Sequence, residues 1–314
     1  MSDATPADPT VPDHVEASVT LPDRVELHYE TFGDPAGRPL LLVMGLGGPL
    51  TWWPLGLCRR LAEDGFYVVR YDNRDTGRST RFDRHRVTQG DIVKAFLGGR
   101  VAVPYSLRDL ANDAFGLLDH LGLPQAHVAG VSMGGMVAQT MAVERPARVR
   151  SLTSIMSTTG RRRVGLIDPK LMPHLLRRVG TTREHYVESS VQFWRRISSP
   201  AYPTADDVAR TRAAETWDRG ISFTGVTRQM VAVLTQRDRT EELGRLRIPA
   251  TVVHGTADRM VNVSGGRATA KAIPGAELVL VPGMGHDLPE DLWGTFADAI
   301  RAAADRAGSV PTDR

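Results

Sequence analysis

The polarity of residues 16–33, EASVTLPDRVELHYETFG, alternates on either side of a Pro-Asp pair, which predicts two antiparallel strands at a sheet edge. Beyond them the pattern changes character. Unbroken apolar runs, PLLLVMG at 39–45 and FYVVRYD at 66–72, predict strands covered on both faces, with a helix between them at about 53–64. In SLRDLANDAFGLLDHLG, 106–122, apolar side chains at 107, 110, 114, 117, 118 and 121 form one helical face, with Ser106 as N-cap and Gly122 at the close. A strand at 126–131, a helix at 133–144 and a strand at 149–155 follow. Strands at 249–255 and 276–282, a helix between them and a last helix at 289–306 complete the series. Strand alternating with helix predicts a mostly parallel sheet with helices on both faces.

One segment breaks the alternation. Between residues 157 and 245 the pattern predicts no strand but four helical pieces. Asp168-Pro169 reads as an N-cap followed by Pro at the first helical position. Thr181 with Glu184 has capping-box spacing, and Thr204 with Asp207 resembles it. The fourth piece is GVTRQMVAVL, 225–234. This is read as a helical insertion forming a lid over the sheet. The organisation expected is a disordered tail at 1–15, a core of 16–156 and 246–306, a lid at 157–245, and a second disordered tail at 307–314. A shorter extra piece, 82–105, precedes the helix at 106.

Composition narrows the class. The 314 residues are 41% hydrophobic and 24% charged, enough for one sizeable α/β domain with an insertion. The formal net charge of +3 comes almost wholly from Arg, with Lys only at 94, 170 and 271, and the basic residues are interleaved with acids. With no reading motif beside that charge, a nucleic-acid partner is not expected. The single cysteine, Cys58, excludes an intrachain disulfide and a cysteine metal cluster, which suits a reducing cytoplasm. The acidic, Pro-rich start, MSDATPADPTVPDH, is unlike a signal peptide, and no run approaches the roughly 20 apolar residues of a membrane span. A soluble, cytoplasmic protein is expected. Neither a dinucleotide nor a Walker fingerprint occurs, nor His and carboxylate pairs at metal spacing, so no cofactor and no metal are expected.

The chemistry centres on HVAGVSMGGM, 127–136, where Ser132 falls at the junction of a predicted buried strand and a predicted helix. A sharp turn there would lift the hydroxyl beyond the sheet edge, and glycines at 130, 134 and 135 would clear the space it needs. The alternative is a plain strand-to-helix connection with glycine at tight spots. A serine hydroxyl needs a base, and His286 in VPGMGHDLPE follows the last predicted strand in a Gly-rich loop. Asp258, four residues past a strand in VVHGTADRMV, is placed to orient that base, with Asp287 as its rival by adjacency. His254 ends a strand and reads as structural. For the oxyanion the donors expected are the amide of Met133 and that of Leu46, within the glycine-rich VMGLGGPLTWW, 43–53, which could instead be a simple turn. Trp52, Trp53, Trp194 and Trp217 are candidate substrate contacts, although aromatic residues at helical spacing more often belong to a core.

The combination of GVSMGG, HGTAD, GMGH and the glycines of 45–48 resembles the α/β-hydrolase fold family over nearly all of 20–156 and 245–306. More narrowly, LLLVMGLGG and VVRYDNRDTGRST resemble the aclacinomycin methylesterase group and its bacterial lipase and carboxylesterase relatives. The resemblance implies the α/β-hydrolase fold, with a mostly parallel eight-stranded sheet, helices on both faces and a helical lid. It also implies hydrolysis of a carboxylic ester through an acyl-serine. One departure is Met44-Gly45 where His-Gly is common, which costs a side-chain brace and not the amide donor. YDNRDTGRST, 71–80, reads as a structural lock beside the catalytic edge.

The leading expectation is therefore a serine ester hydrolase acting on a small-molecule ester, such as a methyl ester of a polycyclic or other apolar acid. A lactonase, thioesterase, C–C hydrolase or cofactor-free haloperoxidase would use the same three side chains. A non-catalytic ligand receptor is the alternative from another class, and three residues of the required types argue against it. Serine at 132 disfavours a dehalogenase, whose nucleophile would be a carboxylate.

Overall fold

The computed structural model describes residues 14–175 and 182–308. The strands are β1 (His14–Thr20), β2 (Glu26–Phe32), β3 (Arg38–Val43), β4 (Phe66–Tyr71), β5 (Ala126–Val131), β6 (Val149–Ile155), β7 (Ala250–Gly255) and β8 (Glu277–Val281). They form one eight-stranded sheet in the order β1-β2-β4-β3-β5-β6-β7-β8. Pairing is antiparallel at β1/β2 and β2/β4 and parallel elsewhere. The mostly parallel α/β sheet expected from the apolar runs is present.

The core helices are α1 (Leu55–Glu63), α2 (Gln89–Phe96), α3 (Leu107–His120) and α4 (Met133–Glu144). Between β6 and β7 lie α5 (Met172–Leu175), α6 (Arg183–Ile197), α7 (Asp206–Gly220), α8 (Phe223–Leu234) and α9 (Thr240–Leu243). The chain closes with α10 (Ser264–Ala272) and α11 (Trp293–Gly308). Among the described residues no helix is long and apolar enough to cross a membrane.

Alternation along each strand divides the core in two. On β3, Leu41 and Val43 join the cluster built with α3 and α4, whereas Leu40 and Leu42 join that built with α1 and α11. Burial on both faces is what the continuous runs encode. The run at β8 is the exception: Leu278 is exposed, because β8 is an edge strand. The segment 82–105 contributes α2, which packs against α8.

Several boundaries differ from the sequence expectation. The first strand begins at His14, inside the stretch read as a tail, and α11 runs through 307 and 308; the remainder of both expected tails lies outside the described residues. Ser106 is the N-cap of α3, as expected, and both its amide and hydroxyl donate to the Asp109 carboxylate. Thr181 also lies outside the described residues; the cap of α6 is Thr182, whose hydroxyl accepts from the His185 amide. Thr204 caps nothing. Helix α7 starts after Ala205, and Asp206 and Asp207 complement the positive end of the helix in place of a side-chain cap.

Consecutive strands diverge at one point in this sheet. From β3 the chain moves through α1 to β4 on one side, whereas β5 lies on the other side of β3, with Val43 opposite Gly130. In an open parallel sheet, such a reversal leaves a crevice at the C-terminal strand ends. The loops that follow β3 and β5 meet there.

Candidate active site

Ser132 sits between β5 and α4 with φ 56° and ψ −118°. A non-glycine residue rarely adopts this conformation, which costs about 1–3 kcal/mol. The close approach of strand and helix accounts for two of the neighbouring glycines. A Cβ at Gly130 would lie 2.2 Å from the Gly134 carbonyl oxygen, and one at Gly134 would lie 2.0 Å from that of Val43. The elbow is tied from below as well: the Ser132 amide donates to the Ile155 carbonyl at 2.9 Å, and the Ser157 hydroxyl donates to the Ser132 carbonyl at 2.8 Å.

The side chains of Ser132, His286 and Asp258 meet at the C-terminal edge of the sheet. His286 Nε2 lies 3.0 Å from Ser132 Oγ, and His286 Nδ1 lies 2.7 Å from Asp258 Oδ2. A carboxylate only accepts, so Nδ1 carries the proton and Nε2 is left to accept from the serine hydroxyl. The His286 loop is held by the end of α6, where the Ile197 carbonyl accepts the His286 amide at 2.7 Å.

Asp258 is buried, and its second oxygen, Oδ1, accepts from the amides of Met260 and Val261, both at 2.9 Å. Burial pushes its carboxyl upward, but the charge and hydrogen bonds of His286 and His254 outweigh that and hold it below its ordinary value. His254 Nε2 donates to the Val261 carbonyl at 2.7 Å and lies 3.4 Å from Asp258 Oδ2, so this strand-end histidine braces the loop that carries Asp258. Asp287 faces elsewhere. It accepts from the amide and hydroxyl of Ser199, and burial keeps its carboxyl above the ordinary value.

The loop after β3 passes directly against the serine. A Cβ at Gly45 would lie 3.2 Å from Ser132 Cβ. The Gly48 amide donates to the Gly45 carbonyl at 3.2 Å, and the Gly47 amide donates to Gln229 Oε1 at 2.7 Å. Among the described residues the amides of Leu46 and Met133 donate to no protein acceptor. The charged stretch 71–80 fastens this loop: Asp72 accepts the Leu50 amide, and Asn73 Nδ2 donates to the Met44 carbonyl. Asp75 in turn is bound by Arg228 of α8 through two hydrogen bonds at 2.8 and 2.7 Å.

Of the four tryptophans expected at a substrate, Trp53 is corrected. It has no exposed surface and packs among Phe32, Leu40 and Leu57, because the turn after Trp52 directs it into the core. Trp52 is half-buried; its Nε1 donates to Thr216 Oγ1 at 2.9 Å, and its ring meets Trp194 edge to face at 5.0 Å. Trp217 lies against Tyr186, with ring centroids 5.5 Å apart. An open groove of about 550 Å³ runs beside Asp258, bordered by 256–259 and 163–169, and its walls include neither Ser132 nor His286. Among the described residues no group of three or more His, Cys, Asp or Glu could hold a metal ion. Gln229 and Asn73 belong to no sequence motif; for Gln229 the one signal in the sequence is a glutamine embedded in the apolar stretch GVTRQMVAVL.

Comparison with known proteins identifies the fold and the family. The family model for the alpha/beta hydrolase fold matches residues 38–291. Rhodomycin D methylesterase DauP of Streptomyces sp. (strain C5) is 32% identical over 313 residues, covering 92% of this chain and 97% of that protein. Rhodomycin D methylesterase DnrP of Streptomyces peucetius is 31% identical over 308 residues, with the same coverage of 92% and 97%. The crystal structure of an enol-lactonase from Burkholderia xenovorans LB400 superposes with a TM-score of 0.70 at 21% identity, covering 92% of this chain and all of that one, a likeness of fold alone. With strand order, elbow and family match in accord over most of its length, the chain belongs to the α/β-hydrolase fold family.

Proposed function

We propose that this protein is a serine esterase in which Ser132 is the nucleophile, His286 the general base and acid, and Asp258 the group that orients the imidazole. The observation that carries the reading is the hydrogen-bonded chain Ser132–His286–Asp258, at 3.0 and 2.7 Å. As Ser132 Oγ attacks the ester carbonyl, its proton passes to His286 Nε2, and the buried Asp258 carboxylate stabilises the imidazolium. The negative charge on the former carbonyl oxygen is met by the amides of Leu46 and Met133, the latter at the positive end of α4. His286 then returns the proton to the leaving alcohol. Water repeats the sequence on the acyl-serine and frees the acid.

The substrate class proposed is a methyl ester of a polycyclic or similarly apolar acid. Support comes from the two methylesterases named above and from the Trp52–Trp194 pair, which offers aromatic surface between the oxyanion loop and α6. Residues 157–245 act as a lid over the sheet edge; the contacts of α6 with the His286 loop and of α8 with the Gly47 loop support that role. Cytoplasmic residence fits the single, unpaired Cys58.

The test combines labelling with turnover. A fluorophosphonate labels the native protein and not Ser132→Ala, and hydrolysis of methyl esters of polycyclic acids exceeds that of their bulkier alkyl esters. Absence of labelling sinks the mechanism; equal turnover across alcohols sinks the methyl-ester assignment.

A further inference from the structure

The loop from Met44 to Leu50 has little structure of its own, yet most of its polar groups are engaged. The Met44 carbonyl accepts from Asn73 at 3.0 Å, and the Leu50 amide donates to Asp72 at 2.7 Å. Inside these two ends, the Gly48 amide closes a turn onto the Gly45 carbonyl at 3.2 Å. Because a trans peptide points its C=O and N–H in opposite directions, fixing the Gly45 carbonyl also aims the Leu46 N–H away from that turn. The next peptide plane is fixed through the Gly47 amide, which donates to Gln229 Oε1 at 2.7 Å.

We infer that Gln229, on α8 of the insertion, is a positioning residue for the oxyanion site. The inference rests on the reading of the Leu46 amide as an oxyanion donor. Gln229 has no exposed surface, and its Nε2 donates to the Arg74 carbonyl at 2.8 Å and to Thr76 Oγ1 at 2.9 Å. Those two acceptors decide which end of the amide faces Gly47; a flipped amide would set its NH2 against the Gly47 N–H. Val226, one turn earlier, braces the same spot from its apolar side: a Cβ at Gly47 would lie 2.8 Å from Val226 Cγ2. Helix α8 itself cannot drift, since the buried Arg228 is paired with Asp75 in the same 71–80 stretch. Met44 provides the loop with no polar side chain, and the brace comes from the insertion instead. The helical segment thus supplies a part of the catalytic framework as well as a cover.

The test uses the full-length protein, a p-nitrophenyl ester as substrate and phenylboronic acid as a probe that becomes tetrahedral on the serine. In Gln229→Met, which keeps the side chain's length and loses its acceptor, kcat falls about 10- to 100-fold, less than the full loss of a donor. KM stays within about twofold, because the contact acts on the transition state and not on substrate binding. The inhibition constant for phenylboronic acid rises by the same factor as kcat falls, a readout that simple loosening of the helix would not reproduce. Where Gln229→Met does not fold, Thr76→Val removes one of the acceptors that orient the amide and gives the same paired loss on a smaller scale. A native kcat in the variant that folds, or a loss of kcat with unchanged boronate affinity, overturns the inference. If Ser132→Ala keeps the native activity, the serine mechanism itself is wrong; a variant at 229 cannot produce that result.

Discussion

The backbone at Ser132 makes a prediction that does not depend on activity. At φ 56° and ψ −118° the residue occupies a region that glycine enters freely and other residues enter at a cost of about 1–3 kcal/mol. Ser132→Ala and Ser132→Gly both abolish the hydrogen bond to His286, so comparing the two removes that contribution and leaves the backbone. Glycine relieves the strain but loses about 0.5–1 kcal/mol through the greater freedom of its unfolded chain. The balance makes the Gly variant more stable than the Ala variant by about 1 kcal/mol. At about 2.1 cal/mol/K of unfolding entropy per residue, a chain of 314 residues converts this to a rise of about 1.5 °C in Tm. Equilibrium unfolding in urea, with both variants at equal slope, gives the free-energy difference directly. An Ala variant as stable as the Gly variant would refute the claim that the fold stores strain at the serine.

Three further outcomes follow from the same geometry. Asp258→Asn loses about 10³- to 10⁴-fold in kcat, since an amide facing Nδ1 no longer enforces the productive tautomer; steady-state kinetics at unchanged fold, checked by circular dichroism, reads the loss. Burial lowers the pKa of His127 from 6.5 to about 4, so between these values the unfolded chain binds a proton that the native state refuses. Stability from this residue is complete above pH 6.5 and declines by about 3 kcal/mol as pH falls to 4, and His127→Gln flattens the pH dependence of Tm over that window. Burial also pushes the Cys58 thiol up to about 12, so iodoacetamide at pH 8 leaves the native protein unmodified and reacts after denaturation; rapid native alkylation would contradict its packing.

The sheet was legible because its cause is local. A strand covered on both faces must be apolar at every position, and a helix on a sheet must be apolar at every third or fourth, so β5, α3 and β6 stand at the residues their patterns indicate. The elbow was legible for a related reason: the glycines at 130 and 134 record a close approach of backbone that any side chain would block. Chain order then placed His286 and Asp258 after the last strands of the same edge. What periodicity could not supply was direction. Trp52 and Trp53 are adjacent and alike in composition, yet one lies half-buried against Trp194 and the other is sealed in the core. Asp258 and Asp287 were rivals until their partners were known, His286 for the first and Ser199 for the second. Val226 of α8 carries no mark in the sequence of the Gly47 turn it packs against.

By itself the sequence determined the layers, the sharp turn at Ser132 and the order of the three polar residues, because each follows from the conformational needs of neighbouring residues. Only the tertiary structure decided that a glutamine 182 residues beyond Gly47 would hold that loop, and that His254 would stand behind Asp258. The 2.7 Å hydrogen bond from Gly47 to Gln229 depends on how the sheet twists and how the insertion seats on it. Those are sums over many contacts, and no short stretch of chain encodes them.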